Sequence, residues 1–160
     1  MKAPPDAALA ERAASKARKA TKRARAAAPA ASSGGYRRYA TPGGLAVLVG
    51  RNSRQNDELT TRLAQPGDVW MHARGVPGAH VLLRVPAGQE AGPEDIQFAA
   101  DLSAWFSKAR AEGKAEVTCA SPADISKPRG AKPGQVVVKK ERVVMARPDR
   151  SEAARQGEAD

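Results

Sequence analysis

The 160-residue sequence predicts an α+β domain: a mostly antiparallel sheet with two principal helices, preceded by a basic N-terminal helix. Three observations carry this. Short apolar or alternating stretches bounded by Gly, Pro or Asn recur between Leu45 and Met145, as strands do. Only two segments in that region have helical spacing, so the order is β-α-β-β-α-β-β-β, without the strict alternation of a parallel sheet. The stretch 36–148 is long enough for one hydrophobic core.

The elements follow in order. Residues 1–35 are an Ala-rich helix and linker, with Leu9 the only large apolar side chain besides Met1. Ala10, Ala13, Ala17, Ala20, Ala24, Ala27 and Ala31 repeat at 3-4 spacing, which is a heptad seam for a coiled-coil partner. Chance spacing in an Ala-rich chain is the alternative. Pro29 to Gly35 ends the helix. Leu45–Val49 reads as a strand between glycines. Asn52 or Ser53 can cap a helix over Arg54–Ala64, with Leu59 and Leu63 inward. Pro66-Gly67 turns the chain into a strand over Asp68–Ala73. Gly75 to Gly78 is a loop, and Ala79–Val85 a further strand. Pro93, Glu94 and Asp95 suit a helix first turn. Ile96, Ala99, Leu102, Trp105, Phe106 and Ala109 then form its apolar face, with Gly113 as the stop. Lys114–Ala120, Gln135–Val138 and Val143–Met145 complete the strands. Residues 149–160 read as a disordered tail.

Charge is unevenly placed. The net +10 divides into +8 over residues 1–40, +4 over 41–150 and −2 over the tail. An anionic partner is therefore expected, whether nucleic acid, membrane surface or acidic protein. No apolar run approaches the roughly 18 residues of a membrane span. With Cys119 alone, no internal disulfide or multi-Cys zinc module is expected. No cofactor is expected either. The expected location is the cytoplasm, or a plastid or mitochondrion if residues 1–40 act as a transit peptide.

The run Asp68-Val69-Trp70-Met71-His72-Ala73 is the most informative. In a strand, Asp68, Trp70 and His72 share one face, and Val69, Met71 and Ala73 the other. A hairpin with the following strand would set His72 opposite His80, Trp70 opposite Leu82 and Asp68 opposite Arg84. Asp68 and His72 would then lie about 13 Å apart, too far for an acid-oriented histidine base. Three readings of this face stand side by side. Trp70 or the histidines stack on RNA with Arg74 and Arg84 meeting phosphate; or His72 and His80 serve an RNA-processing hydrolase; or Trp70 is core in a structural protein-interaction domain. A metal site has no evident third ligand.

Two further runs bear positive charge. Arg51-Asn52-Ser53-Arg54-Gln55-Asn56-Asp57 enters a helix where free N–H groups can meet phosphate, although Asn52, Ser53 or Asn56 can equally be caps. Lys127-Pro128-Arg129-Gly130-Ala131-Lys132-Pro133-Gly134 is an exposed, stiff, basic loop.

Taken in order, Gly44–Gly50, Arg51–Asp57, Asp68–Val81 and Lys127–Gly134 resemble the NFACT-R domain. That is the RNA-binding C-terminal part of the RqcH/NEMF-type ribosome quality-control factors. The resemblance covers Tyr36 to Pro148, and D-x-W-x-H with the following P-G-x-H is its most specific part. It implies tRNA and the large ribosomal subunit as partners, on stalled nascent-chain complexes. It implies untemplated C-terminal tailing in which the ribosome makes the peptide bonds, so the chain is expected not to be an enzyme. It also implies that Asp68, Trp70 and His72 help form a tRNA-facing surface, and that the preceding helix is one arm of a coiled coil. Gly78-Ala79-His80 stands where the family usually has Gly-Ser-His. The family's N-terminal domain, helix-hairpin-helix region and most of the coiled coil have no counterpart in these 160 residues: the chain is part of a larger protein, a truncated product or a free-standing domain, and if free-standing, RNA or ribosome binding is the expectation rather than tailing. The expected RNA-contacting set is Arg51, Asn52, Arg54, Gln55, Asn56, Asp68, Trp70, His72, Arg74, His80, Arg84, Lys127, Arg129 and Lys132, with no catalytic residue.

Overall fold

The computed structural model describes residues 35–157. The basic helix and heptad expected over residues 10–31 lie outside the described residues. Eight strands form in chain order: β1 (Arg37–Ala40), β2 (Ala46–Val49), β3 (Val69–Ala73), β4 (Val81–Leu83), β5 (Ala115–Ala120), β6 (Ile125–Ser126), β7 (Val137–Val138) and β8 (Arg142–Ala146). Six of them make one sheet, ordered β1-β2-β4-β3-β5-β8, while β6 and β7 make a separate ribbon. Every pairing is antiparallel, as the sequence predicts. The α-helices among the described residues are α1 (Ser53–Glu58), α2 (Pro93–Trp105) and α3 (Glu152–Arg155).

The sheet buries both faces, because its strands carry large side chains at odd and even positions alike. On one face, Val47, Val49, Met71, Val81, Leu83, Val117 and Cys119 pack with Ala99, Leu102 and Ala104 of α2. Cys119 lies in this core, and burial raises its thiol pKa to about 11, which removes it as a nucleophile near neutral pH. On the other face, Leu48 and Leu82 pack with Tyr36 and with Leu59 and Leu63. Those two leucines bound a single π-helical turn, Leu59–Leu63, that continues α1. In it the Ala64 N–H donates to the Leu59 carbonyl at 3.0 Å, five residues back.

Three expectations are corrected. First, β1 and β6 form strands although neither was readable as one. Arg37-Arg38-Tyr39-Ala40 has little strand character of its own, and it is the pairing with β2 that makes it extended. Second, α2 stops at Trp105 rather than near Gly113. The chain is diverted there because its backbone finds another partner. The Ala79 N–H donates to the Phe106 carbonyl at 2.9 Å, and the Lys108 N–H to the Pro77 carbonyl at 3.0 Å. A Cβ on Gly78 would lie 2.6 Å from Ser107 Cβ, so this approach requires glycine. Third, the expected tail is partly ordered. Pro148–Arg150 forms a 3₁₀ turn and α3 follows, capped by Ser151 Oγ accepting from the Ala154 N–H at 3.0 Å. Ala153 is buried against the α2 side of the core.

Candidate nucleic-acid interface

The hairpin register is the one read from the charges. Trp70 pairs with Leu82. His72 and His80 then meet with ring centroids 5.5 Å apart, and Arg84 Nε reaches Asp68 Oδ2 at 3.3 Å. The consequence differs from the expectation at one end. Asp68 is buried, and its carboxylate accepts from the Gln65 and Val85 N–H groups at 2.9 Å each. It closes the β3–β4 hairpin with Arg84 and does not face a cleft. Burial raises its pKa, against those hydrogen bonds and Arg84.

Trp70 is also corrected. It is 2% exposed, so its ring is enclosed rather than offered to a base. His72 stacks parallel to it at 6.0 Å and 12°, and His80 meets it edge-on at 5.2 Å and 80°. A hydrogen-bond chain runs through this cluster. The Trp70 Nε1–H donates to Thr60 Oγ1 at 3.1 Å. Thr60 Oγ1 lies 2.9 Å from His80 Nδ1, and His80 Nε2 lies 3.0 Å from the Gly134 carbonyl oxygen. A carbonyl can only accept, so Nε2 carries the proton, and Thr60 donates to Nδ1. Burial, with His72 nearby, lowers the His80 pKa to about 4, so the ring is neutral at physiological pH. Burial lowers the His72 pKa as well.

This chain and one acid pin the basic loop. The Lys127 ammonium stands 2.7 Å from Asp57 Oδ1. That contact, aided by a hydrogen bond from Gly134, holds the Asp57 carboxyl below the usual range. One end of the loop is thereby fixed to α1 at Asp57, and Gly134 at the other end is held by Asp57 and by His80 of the hairpin. The backbone of His80 is held in turn, with its N–H donating to Asn56 Oδ1 at 3.0 Å and its carbonyl accepting from the Gly50 N–H at 3.1 Å. Any Cβ on Gly50 would overlap Asn56 Oδ1, which explains the glycine that ends β2.

Between this loop and the sheet lies an open cleft of about 720 Å³. Its floor is Trp70, His72, His80 and Thr118, and its walls include Arg74, Arg129, Val136, Val137 and Glu141. Val137 is 45% exposed there. The cations differ in availability. Arg74 stands 3.6 Å from both Glu116 and Glu141, so two acids offset it. Lys127 is paired with Asp57. Arg129 and Lys132 are exposed, and no acid pairs with them among the described residues.

The run at 51–56 is mostly engaged in building the turn. Asn52 Oδ1 caps the Gln55 N–H at 2.9 Å, and Gln55 Oε1 accepts from the Arg51 N–H at 2.8 Å. Arg54 approaches Glu58 at 3.6 Å on the surface. The structure therefore brings together His72, Arg74, His80, Arg129 and, at the loop, Lys127 and Lys132. It leaves Asp68 and Arg84 at the other end of the hairpin. The sequence reading missed Thr60, Asp57, Thr118, Glu141 and Val136–Val138. Thr60 is four residues after Asn56, so their shared helix face is a local signal. Glu141 and the valines have none, because they reach the cleft only through tertiary pairing.

Comparison with known proteins agrees with this architecture. A family model described as the NFACT protein RNA-binding domain matches residues 36–140. The Rqc2 homolog RqcH of Bacillus subtilis is 40% identical over 111 residues, which is 69% of this chain and 19% of that protein. RqcH of Streptococcus suis is 38% identical over 112 residues, 70% of this chain and 20% of that protein. The chain thus spans about a fifth of the length of these relatives. Among solved structures, the C-terminal part of the fibronectin/fibrinogen-binding protein from Streptococcus suis matches with a TM-score of 0.69 at 33% identity. That match covers 78% of this chain and 49% of the other.

Proposed function

Since the chain belongs to the NFACT RNA-binding domain family, we propose that its cleft binds RNA of the translation machinery, tRNA or the large ribosomal subunit, in ribosome-associated quality control. One observation carries the placement. The cleft has an aromatic and imidazole floor, an apolar wall and Arg129, on a clamped loop that also carries Lys132; neither cation meets an acid among the described residues. An unstacked nucleotide has the matching parts: a flat base to lie against His72 and Val137, and phosphates for Arg129 and Lys132. The volume, about 720 Å³, falls within the roughly 300–1,000 Å³ of small-ligand sites. Because both ends of the loop are fixed, little ordering entropy remains to be lost on binding.

The role we propose is non-enzymatic. His80 has both ring nitrogens engaged and is neutral near pH 7, so it has no free position from which to take a proton. The test is binding of tRNA and of isolated large subunits across a salt series, alongside incubation with end-labelled RNA. Affinity should fall steeply as salt rises, with the RNA left intact. Absence of binding to either RNA at low salt contradicts the binding proposal. Cleavage abolished by His72→Ala contradicts the non-enzymatic one.

A further inference from the structure

A second groove, of about 550 Å³, shares the β3–β4 loop with the cleft: Gly75 lines the cleft, whereas Pro77, Gly78 and Ala79 line the groove. Four cations line it, Arg37, Arg51, Lys108 and Arg110, and among the described residues no acidic side chain does. Elsewhere several basic side chains meet acids: Glu58 meets Arg54 and Arg62, Glu116 and Glu141 meet Arg74, Asp68 meets Arg84, and Asp57 meets Lys127. In the groove, neutral groups hold the Arg51 and Arg110 guanidiniums. The Arg110 Nε–H donates to the Trp105 carbonyl at 2.7 Å while its guanidinium lies 4.5 Å above the Trp105 ring. The Arg51 Nε–H donates to the Gly35 carbonyl at 2.5 Å. Anchoring through Nε or the ring face orients a guanidinium without neutralising it.

The wall that bears Lys108 and Arg110 exists because α2 ends early and its backbone joins Pro77 and Ala79. The cations are thus fixed on a rigid frame, where mutual repulsion costs stability unless an anion is bound. Planar guanidinium forks match phosphate oxygens. We propose that this groove holds the phosphodiester backbone of RNA, as a second contact surface beside the base-accepting cleft. The inference rests on the RNA-binding reading of the preceding subsection. It adds Lys108 and Arg110, which no motif marks, and gives Arg51 a partner surface other than the cleft.

The test is a salt series for binding of tRNA and of a single-stranded RNA oligonucleotide to the full chain. Wild type is compared with Arg51→Gln/Lys108→Gln, with Lys108→Glu alone, and with the control pair Lys114→Gln/Arg155→Gln. Thermal melts establish that each is folded. Lys108 is exposed and has no side-chain partner among the described residues, so its single variant remains informative if Arg51 proves structural. Removing two phosphate contacts should make the slope of log K against log salt shallower by about 1.4 for a single strand, and Lys108→Glu should weaken binding in the same direction. The control pair should leave the slope unchanged. If the groove variants alter the slope no more than the control does, while wild type binds RNA, the groove proposal is overturned and the cleft proposal stands. If wild type binds no RNA, both fall.

Discussion

His80 Nε2 donates a hydrogen bond to the carbonyl oxygen of Gly134 at 3.0 Å, joining positions 54 residues apart in sequence. This one bond ties the basic loop to the sheet hairpin, and through Thr60 it is continuous with the Trp70 indole. The ring most suggestive of chemistry is here a strut.

His80→Ala should therefore act on stability before it acts on binding. The change leaves the Gly134 carbonyl without its side-chain partner, strips one contact from Thr60, which still reaches the Asn56 carbonyl at 3.1 Å, and opens a gap beside Trp70. A loss of roughly 1–3 kcal/mol is expected from the unsatisfied groups. Urea unfolding measures it, and a variant as stable as wild type would contradict the strut.

The same residue gives a pH signature. Its folded pKa, about 4, lies below the unfolded value of about 6.5. Between those values the unfolded chain binds the extra proton. The stability contribution is thus fully present above about pH 6.5 and is lost as pH falls towards 4. Its full size is on the order of 3 kcal/mol. Asp68 and Asp101 have raised pKa values and act with the opposite sign, so the diagnostic is a difference between proteins. Unfolding free energy followed from pH 7 to 4 should fall less steeply in His80→Asn than in wild type. Parallel curves would count against the assignment.

Trp70→Ala should destabilise the domain by about 3–5 kcal/mol, as expected for a large ring removed from an enclosed site. Trp70→Phe keeps an aromatic ring beside the histidines and loses the bond to Thr60 and part of the ring volume, so it should cost less than Trp70→Ala. Denaturant midpoints separate the two. A Trp70→Ala protein that folds normally but no longer binds RNA would return Trp70 to the role of base platform.

Loop cations should divide into two kinds. Arg129→Gln/Lys132→Gln should leave the melting temperature nearly unchanged and weaken RNA binding with a shallower salt slope. Lys127→Gln should instead lower the melting temperature, because it removes the partner of Asp57, and change the slope less. Equal slopes for Lys127→Gln and Arg129→Gln would mean that Lys127 reaches phosphate despite its ion pair.

Alternation along Asp68–Ala73 and the opposed charges of Asp68 and Arg84 made the hairpin register readable, because period-2 side-chain placement is a local property. Asn52 as a cap was equally local. The direction of burial was not. A face bearing Asp, Trp and His resembles an exposed functional face, yet α1 and its π turn cover it at Trp70 and leave only the His72 end open. The early end of α2 was hidden for a similar reason: Trp105, Phe106 and Ala109 keep helical spacing, but the backbone at Phe106 and Lys108 is captured by Pro77–Ala79, far away in sequence. Charge counts likewise marked Lys127 and Arg129 as equals, and only the position of Asp57 distinguishes them.

The central claim, that RNA occupies the cleft between the hairpin and the basic loop, is tested most directly by cross-linking. RNA carrying 4-thiouridine, bound to the wild-type chain and irradiated, would be mapped by mass spectrometry of the cross-linked peptides. The account predicts adducts in the segments that line the cleft, around residues 70–75 and 128–138. Adducts found only elsewhere on the domain, with none in these two segments, would contradict it.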